Sequence, residues 1–264
     1  MPSSEIRAVA ENLICALRFF GQARATSEIR DLPGVSLVTC GLNYAAFNAA
    51  LLSKPIESDA RELSKLIEVS AGQFGARNLR WTCWICEDFL GKPLRREAGK
   101  IFSRYGLRPL TEAPGMYAER LRAPHRTLPS LEVRPTTDDS TRAAFAEIMS
   151  LGFEIPYAVC TAVYGSELAW KSALQGYVGY LDGRAVTTAA TAITGDVIGM
   201  YSVATLPQYR RLGFAEAIMR QVIERVKQDT GVEATVLQTT RSGLSLYEKM
   251  GYRKVTNFSV YIAD

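Results

Sequence analysis

Arg210-Arg211-Leu212-Gly213-Phe214-Ala215 is the stretch of this 264-residue chain whose residue types could do chemistry together. Gly213 permits a tight turn, Ala215 lets another group approach the backbone closely, and two arginines stand beside them. Downstream, Ile218, Met219, Val222, Ile223 and Val226 recur at helical spacing until Thr230-Gly231 supplies a stop. The first amides of such a helix have no internal partners, and its dipole places partial positive charge there. Upstream, Ile198 to Ala204 is an apolar run suited to a buried strand bounded by Pro207. A strand, a small-residue turn, a helix N-terminus and two arginines together make a site for a pyrophosphate.

The R-x-x-G-x-A arrangement resembles the coenzyme A-binding motif of the GNAT acetyltransferase superfamily, whose usual form is Q/R-x-x-G-x-G/A. A second match lies about one helix further on. There Leu246-Tyr247-Glu248-Lys249-Met250-Gly251-Tyr252 is similar to the family's L-Y-x-x-x-G-F/Y segment. Val133-Arg134-Pro135, followed by Asp138-Asp139 and a helix carrying Ala143, Ala144, Phe145, Ile148 and Met149, is similar to a familiar GNAT opening. The resemblance covers roughly residues 131 to 262 and is sharpest over 197 to 253.

That resemblance implies acetyl-coenzyme A as the cofactor, in a cleft where the strand ending near Thr205 splays from the strand Ala234 to Gln238. Backbone groups of Val203, Ala204 and Thr205 would pair with the pantetheine arm as an added strand pairs with a sheet edge. Arg210, Arg211, Leu212, Gly213, Phe214 and Ala215 would hold the pyrophosphate by backbone amides, with charge from Arg211, while Arg210 either joins it or caps locally. Thr240 stands where many relatives carry asparagine, so its hydroxyl or that of Ser242 would touch the pantetheine. Tyr247 takes the place of the family's general acid, and a phenol titrating near ~10 can donate a proton at neutral pH. No general base is assigned. The strand offers Tyr201 and Ser202 and no carboxylate, and Glu154 reads as an exposed loop residue. The implied activity is acetyl transfer to a primary amine by direct attack. The alternative is a non-catalytic acyl-coenzyme A-binding regulatory module.

These residues need elements to hold them. Gly176 to Leu181, Asp182-Gly183 and Ala185 to Thr194 read as a hairpin leading into the strand at 197 to 205. In the first half, helical periodicity appears over 5 to 20, over Ala60 to Ala71, and over Leu94 to Tyr105 with Gly106 as its stop. Strands are expected at Val35 to Cys40, Leu79 to Ile85 and Met116 to Leu121, while Gly41 to Leu52 fits either helix or strand. Ile101 to Arg108 aligns without a gap to Leu246 to Arg253. The expectation is an α/β fold (an α+β mixed sheet with flanking helices) built as two GNAT-like domains in tandem, the second complete. Residues 1–122 would be a degenerate copy without the cofactor motif, 123–130 a linker, and 131–264 the acetyltransferase domain. In the first copy Ser53-Lys54-Pro55-Ile56-Glu57-Ser58 stands where the glycine turn would be, and Phe102 replaces the tyrosine.

Composition narrows the classes. The chain is 47% hydrophobic and 22% charged, which suffices for a packed core, and no apolar run approaches the ~20 residues of a spanning helix. No membrane partner and no signal-peptide layout are expected. A formal charge of +4 suits an anionic cofactor and does not argue for nucleic acid. Five scattered cysteines fit reduced thiols in a cytoplasmic protein. Cys83 and Cys86 sit three apart on a strand-like run, so their side chains diverge and no metal site is expected. His125, the one histidine, lies in the linker, which removes the usual residue of serine- and cysteine-hydrolase chemistry. A dinucleotide-binding unit would place its glycine turn after the first strand of a βαβ unit, which is not the order here. The acceptor is expected to be a small-molecule or peptide amine, and the oligomer a monomer or dimer.

Overall fold

The side chain of Ser3 accepts the Ile6 amide and starts the first helix, as a hydroxyl cap does where four amides lack partners. The structure, a computed structural model, describes residues 2–263. In chain order the first half comprises α1 (Ser4–Leu17), β1 (Glu28–Leu32), β2 (Val35–Thr39), β3 (Asn48–Leu52), α2 (Ala60–Gly75), β4 (Trp81–Cys86), α3 (Lys92–Arg104) and β5 (Arg108–Ala118). The second comprises β6 (Glu132–Pro135), α4 (Asp139–Phe153), α5 (Tyr157–Tyr164), β7 (Gln175–Leu181), β8 (Arg184–Thr194), β9 (Val197–Thr205), α6 (Phe214–Thr230), β10 (Ala234–Gln238), α7 (Leu244–Met250) and β11 (Arg253–Ala263).

The ambiguous stretch after Gly41 is a short 3-10 turn, Ala45–Phe47, running into β3. Buried Asn48 decides it: its amide donates to the carbonyls of Leu42 and Arg80, and its Oδ1 accepts from Thr39 Oγ1. The strand expected from Met116 begins eight residues earlier, at Arg108, and ends at Ala118. Its leading residues Arg108–Glu112 are exposed and show no alternation, so only pairing to β11 reveals them as strand.

Among the described residues, the strands join one sheet in the order β1-β2-β3-β4-β11-β5-β10-β9-β8-β7-β6. The last strands of the two halves are exchanged. β5 lies between β10 and β11, and β11 pairs with β4 across residues 258–263. Helix α1 likewise crosses over, packing on β8, β9 and β10 of the second half. The aromatic cluster joins both halves, with Phe19, Phe20 and Phe47 packed against Tyr164, and Phe19 also against Trp170. The sheet therefore has no seam at the connection between the halves.

Asn12 pins α1 in place. It is fully buried, and it donates to Ala192 O at 3.0 Å and to Thr194 Oγ1 at 2.8 Å. Its Oδ1 accepts the Tyr201 hydroxyl at 2.6 Å, a contact spanning 189 positions of chain. Gly199 leaves the space for this approach, because a β-carbon there would overlap Asn12 Oδ1 and press on the Tyr201 ring. Gly199→Ala is expected to lower stability by about 1–3 kcal/mol through overpacking. The check is a fall in the urea midpoint at unchanged m-value.

Candidate active site

β9 and β10 pair in parallel only over Val197–Gly199 and Ala234–Val236. Beyond Gly199 they separate, and no strand among the described residues pairs with the β10-facing edge of Met200–Thr205. A bulge sits in the same stretch: Ser202 and Val203 lie opposite the single residue Ala189, and Ser202 adopts φ +48°. Thr188 Oγ1 donates to Ser202 O at 2.9 Å and Thr187 Oγ1 to Ala204 O at 2.7 Å, which fixes the bulge from the β8 side. The opening between the strands is a cleft of about 960 Å³. Ser202, Val203, Ala204, Thr205, Gln238 and Tyr247 are among the residues along it.

At one end of the cleft is the glycine turn. Arg211 has φ +64° and Gly213 φ +97°, so the chain reverses through two left-handed residues before α6 begins at Phe214. Phe214 is buried in the core beneath, Leu212 is exposed, and Ala215 lines the cleft. Such a turn directs successive amides outward at a helix N-terminus. The two arginines have different surroundings. Arg210 donates to Gly152 O at 2.8 Å and to Thr205 O at 3.3 Å, tying the end of α4 to the end of β9. Arg211 is exposed and lines the cleft.

The neighbours of this turn were not legible in the sequence. A groove of about 750 Å³ beside it is lined by His125 and Arg126 from the connection between the halves, together with Arg211, Glu216 and Lys249. Arg126 donates to Arg211 O at 3.4 Å. Glu216 is paired with Arg220 at 2.7 Å, so its charge is compensated and the groove is net basic. Arginine at 126 is legible only as part of a loop in the sequence, because its target lies 85 residues away.

Tyr247 lines the cleft from α7, with its ring edge-on to Tyr252 at 5.8 Å. Burial pushes its phenol up to about 12, so it keeps its proton throughout the physiological range. Thr240 and Ser242 also line the cleft, their hydroxyls 2.8 Å apart and bonded to each other. Glu154 is the left-handed cap of α4 at φ +56°, exposed and outside the cleft wall. Tyr201, on the strand without a carboxylate, is partly buried, and desolvation holds its phenol well above its ordinary value. Burial also pushes the Cys83 thiol to about 12 and Cys160 to about 11, so both are neutral at pH 7. No group of three or more metal-ligating side chains comes together among the described residues. No helix among them is long and apolar enough to cross a membrane.

The corresponding place in the first half is closed. β3 and β4 also pair in parallel, over Ala49–Leu51 and Thr82–Trp84. Past β3, buried Ile56 donates its amide to Phe89 O at 2.7 Å, and Gly91 returns a bond to Ile56 O at 3.0 Å. The chain thus fills the gap that stays open between β9 and β10.

Residues 172–254 match the family model described as Acetyltransferase (GNAT) domain. The solved structure of a GCN5-related N-acetyltransferase from Kribbella flavida superposes with a TM-score of 0.71 at 16% identity, covering 100% of this chain and 96% of that one. A tandem GNAT protein from the clavulanic acid biosynthesis pathway superposes with a TM-score of 0.57 at 12% identity, covering 100% and 96%. A GCN5-related N-acetyltransferase from Sphaerobacter thermophilus gives 0.54 at 16% identity, covering 98% and 92%. At these identities the likeness is one of fold, and it extends over both halves. No curated protein matches the chain.

Proposed function

We propose that this protein, whose residues 172–254 match the GNAT acetyltransferase domain, transfers an acetyl group from acetyl-coenzyme A to an amine. The observation that carries the reading is the unpaired edge of β9, which ends directly above the left-handed turn at Arg211 and Gly213. Residues present fit the cofactor. A free strand edge suits a pantetheine amide, and outward amides at a basic helix N-terminus suit a pyrophosphate. Val203, Ala204 and Thr205 would hold the former; Arg211 to Ala215 the latter, with Thr240 and Ser242 at the cleft wall.

Bound acetyl-coenzyme A supplies an activated thioester. The amide groups at the Ser202–Val203 bulge would polarise its carbonyl, as fixed donors do in oxyanion sites. The amine's lone pair forms the new carbon–nitrogen bond as the carbon–sulfur bond breaks, and the amine's proton leaves to water. Tyr247 gives its proton to the departing sulfur and regains one from solvent. In this proposal residues 131–264 carry the chemistry, residues 123–130 connect, and residues 1–122 are a related copy whose cofactor place is filled by Ile56.

Calorimetric titration with acetyl-coenzyme A, followed by thiol release on adding an amine, tests the reading. Saturable binding with transfer supports it. Binding without transfer to any amine favours a regulatory module, and no binding by the folded protein overturns the site. In the same titration Arg126→Ala should weaken binding about three- to tenfold, the range of one partly exposed charge-assisted contact. The loss should shrink as salt is raised, since exposed charges are screened.

A further inference from the structure

Past the pantetheine stretch, the cleft ends on a wall supplied mainly by the first half: Leu13 and Leu17 of α1 and Trp84 of β4. Phe153 of α4 and Tyr201 of β9 also line the cleft. Among the described residues, no aspartate, glutamate, lysine or histidine lines this cleft, and its two arginines, Arg210 and Arg211, belong to the turn. Two polar side chains remain at the wall. The Tyr201 hydroxyl donates to Asn12. Gln238 donates through Nε2 to Val9 O at 3.1 Å, and its Oε1 is buried without a partner.

An ammonium group brought here would leave water for leucine, tryptophan and phenylalanine side chains with no counter-charge, which is strongly unfavourable. A neutral amine meets no such obstacle. Polycations fit least, because each further charge repeats the cost. We infer that the acceptor is a weakly basic amine, largely uncharged near neutral pH, carried on an apolar body that packs against Leu13, Leu17 and Trp84. This inference rests on the acyltransferase reading and names the substrate class for that same cleft.

The test compares three amines at pH 7 with the full-length protein and saturating acetyl-coenzyme A: phenylalanine amide, 2-phenylethylamine and spermidine. The first two share an aromatic body and differ in basicity. An α-amine near ~8 is roughly a tenth neutral at pH 7, an alkylamine near ~10 only about a thousandth. Phenylalanine amide should therefore show a kcat/KM at least about tenfold above 2-phenylethylamine, the gap closing toward pH 9.5, with spermidine lowest. Leu17→Glu, which puts a carboxylate on the wall, should shift the spermidine to phenylalanine amide ratio upward by about tenfold or more. Unchanged acetyl-coenzyme A affinity in that variant shows that it is folded. Spermidine turned over as well as phenylalanine amide, or turned over while the amide is not, overturns the inference. Absence of acetyl-coenzyme A binding, or binding without turnover of any of the three amines, instead overturns the acyltransferase reading beneath it.

Discussion

Gly213→Glu is expected to remove acetyl-coenzyme A binding while the protein still folds. Gly213 holds φ +97°, a conformation that costs a residue with a β-carbon about 1–2 kcal/mol. A β-carbon at this position would also stand 3.1 Å from Arg126 Nη2 and 3.2 Å from Pro129 Cδ. Arg126 is the end of a flexible side chain and can yield, so the fold should survive. The glutamate then places bulk and negative charge where a pyrophosphate would lie, and pairs with the arginines meant for it. A loss of at least about a hundredfold in affinity is expected, the scale of replacing charge-assisted contacts by like-charge repulsion. Gly213→Ala separates the causes: it carries the strain without the charge and should lose much less. If the folded glutamate variant binds as the parent does, the turn is not the cofactor site.

Tyr247→Phe is expected to lower kcat by about ten- to a hundredfold, near the lower end of what a positioned proton donor contributes. The KM for acetyl-coenzyme A should change little, because phenylalanine keeps the edge-on packing against Tyr252. Burial raises the phenol to about 12, so the donor stays protonated below that pH. Activity in the parent should consequently rise with pH as the acceptor amine loses its proton, and show no descending limb below about pH 10 from this residue. The variant should keep the same rising limb at a lower plateau. Equal kcat in the two proteins would make Tyr247 a packing residue only.

Much of the local structure was legible in the sequence. The periodicity of Ile218 to Val226, the Asp182-Gly183 hairpin and the turn at Gly213 all appear close to their expected positions. So does the separation of β9 from β10. Each depends on contacts between near neighbours, on glycine's tolerance of positive φ, or on a family pattern quoted residue by residue. The start of β5 was hidden because Arg108–Glu112 is exposed, so burial wrote no alternation into it. Arg126 and the acceptor wall of Leu13, Leu17 and Trp84 were hidden for a different reason. Their side chains look like those of any loop, helix or strand until the chain is folded around the cleft.

By itself, then, the sequence determined the elements and the chemistry of the turn, because capping, periodicity and backbone conformation are set within a few residues. Only the tertiary structure decided which half completes which. β5 and β11 follow equivalent helix ends, Ile101–Arg108 and Leu246–Arg253, and either could pair within its own half or across it. The exchange between them, and the seat of α1 on β8 to β10, depend on burying one continuous set of apolar faces. That choice is made over separations such as the 189 residues between Asn12 and Tyr201, where no local pattern can record it.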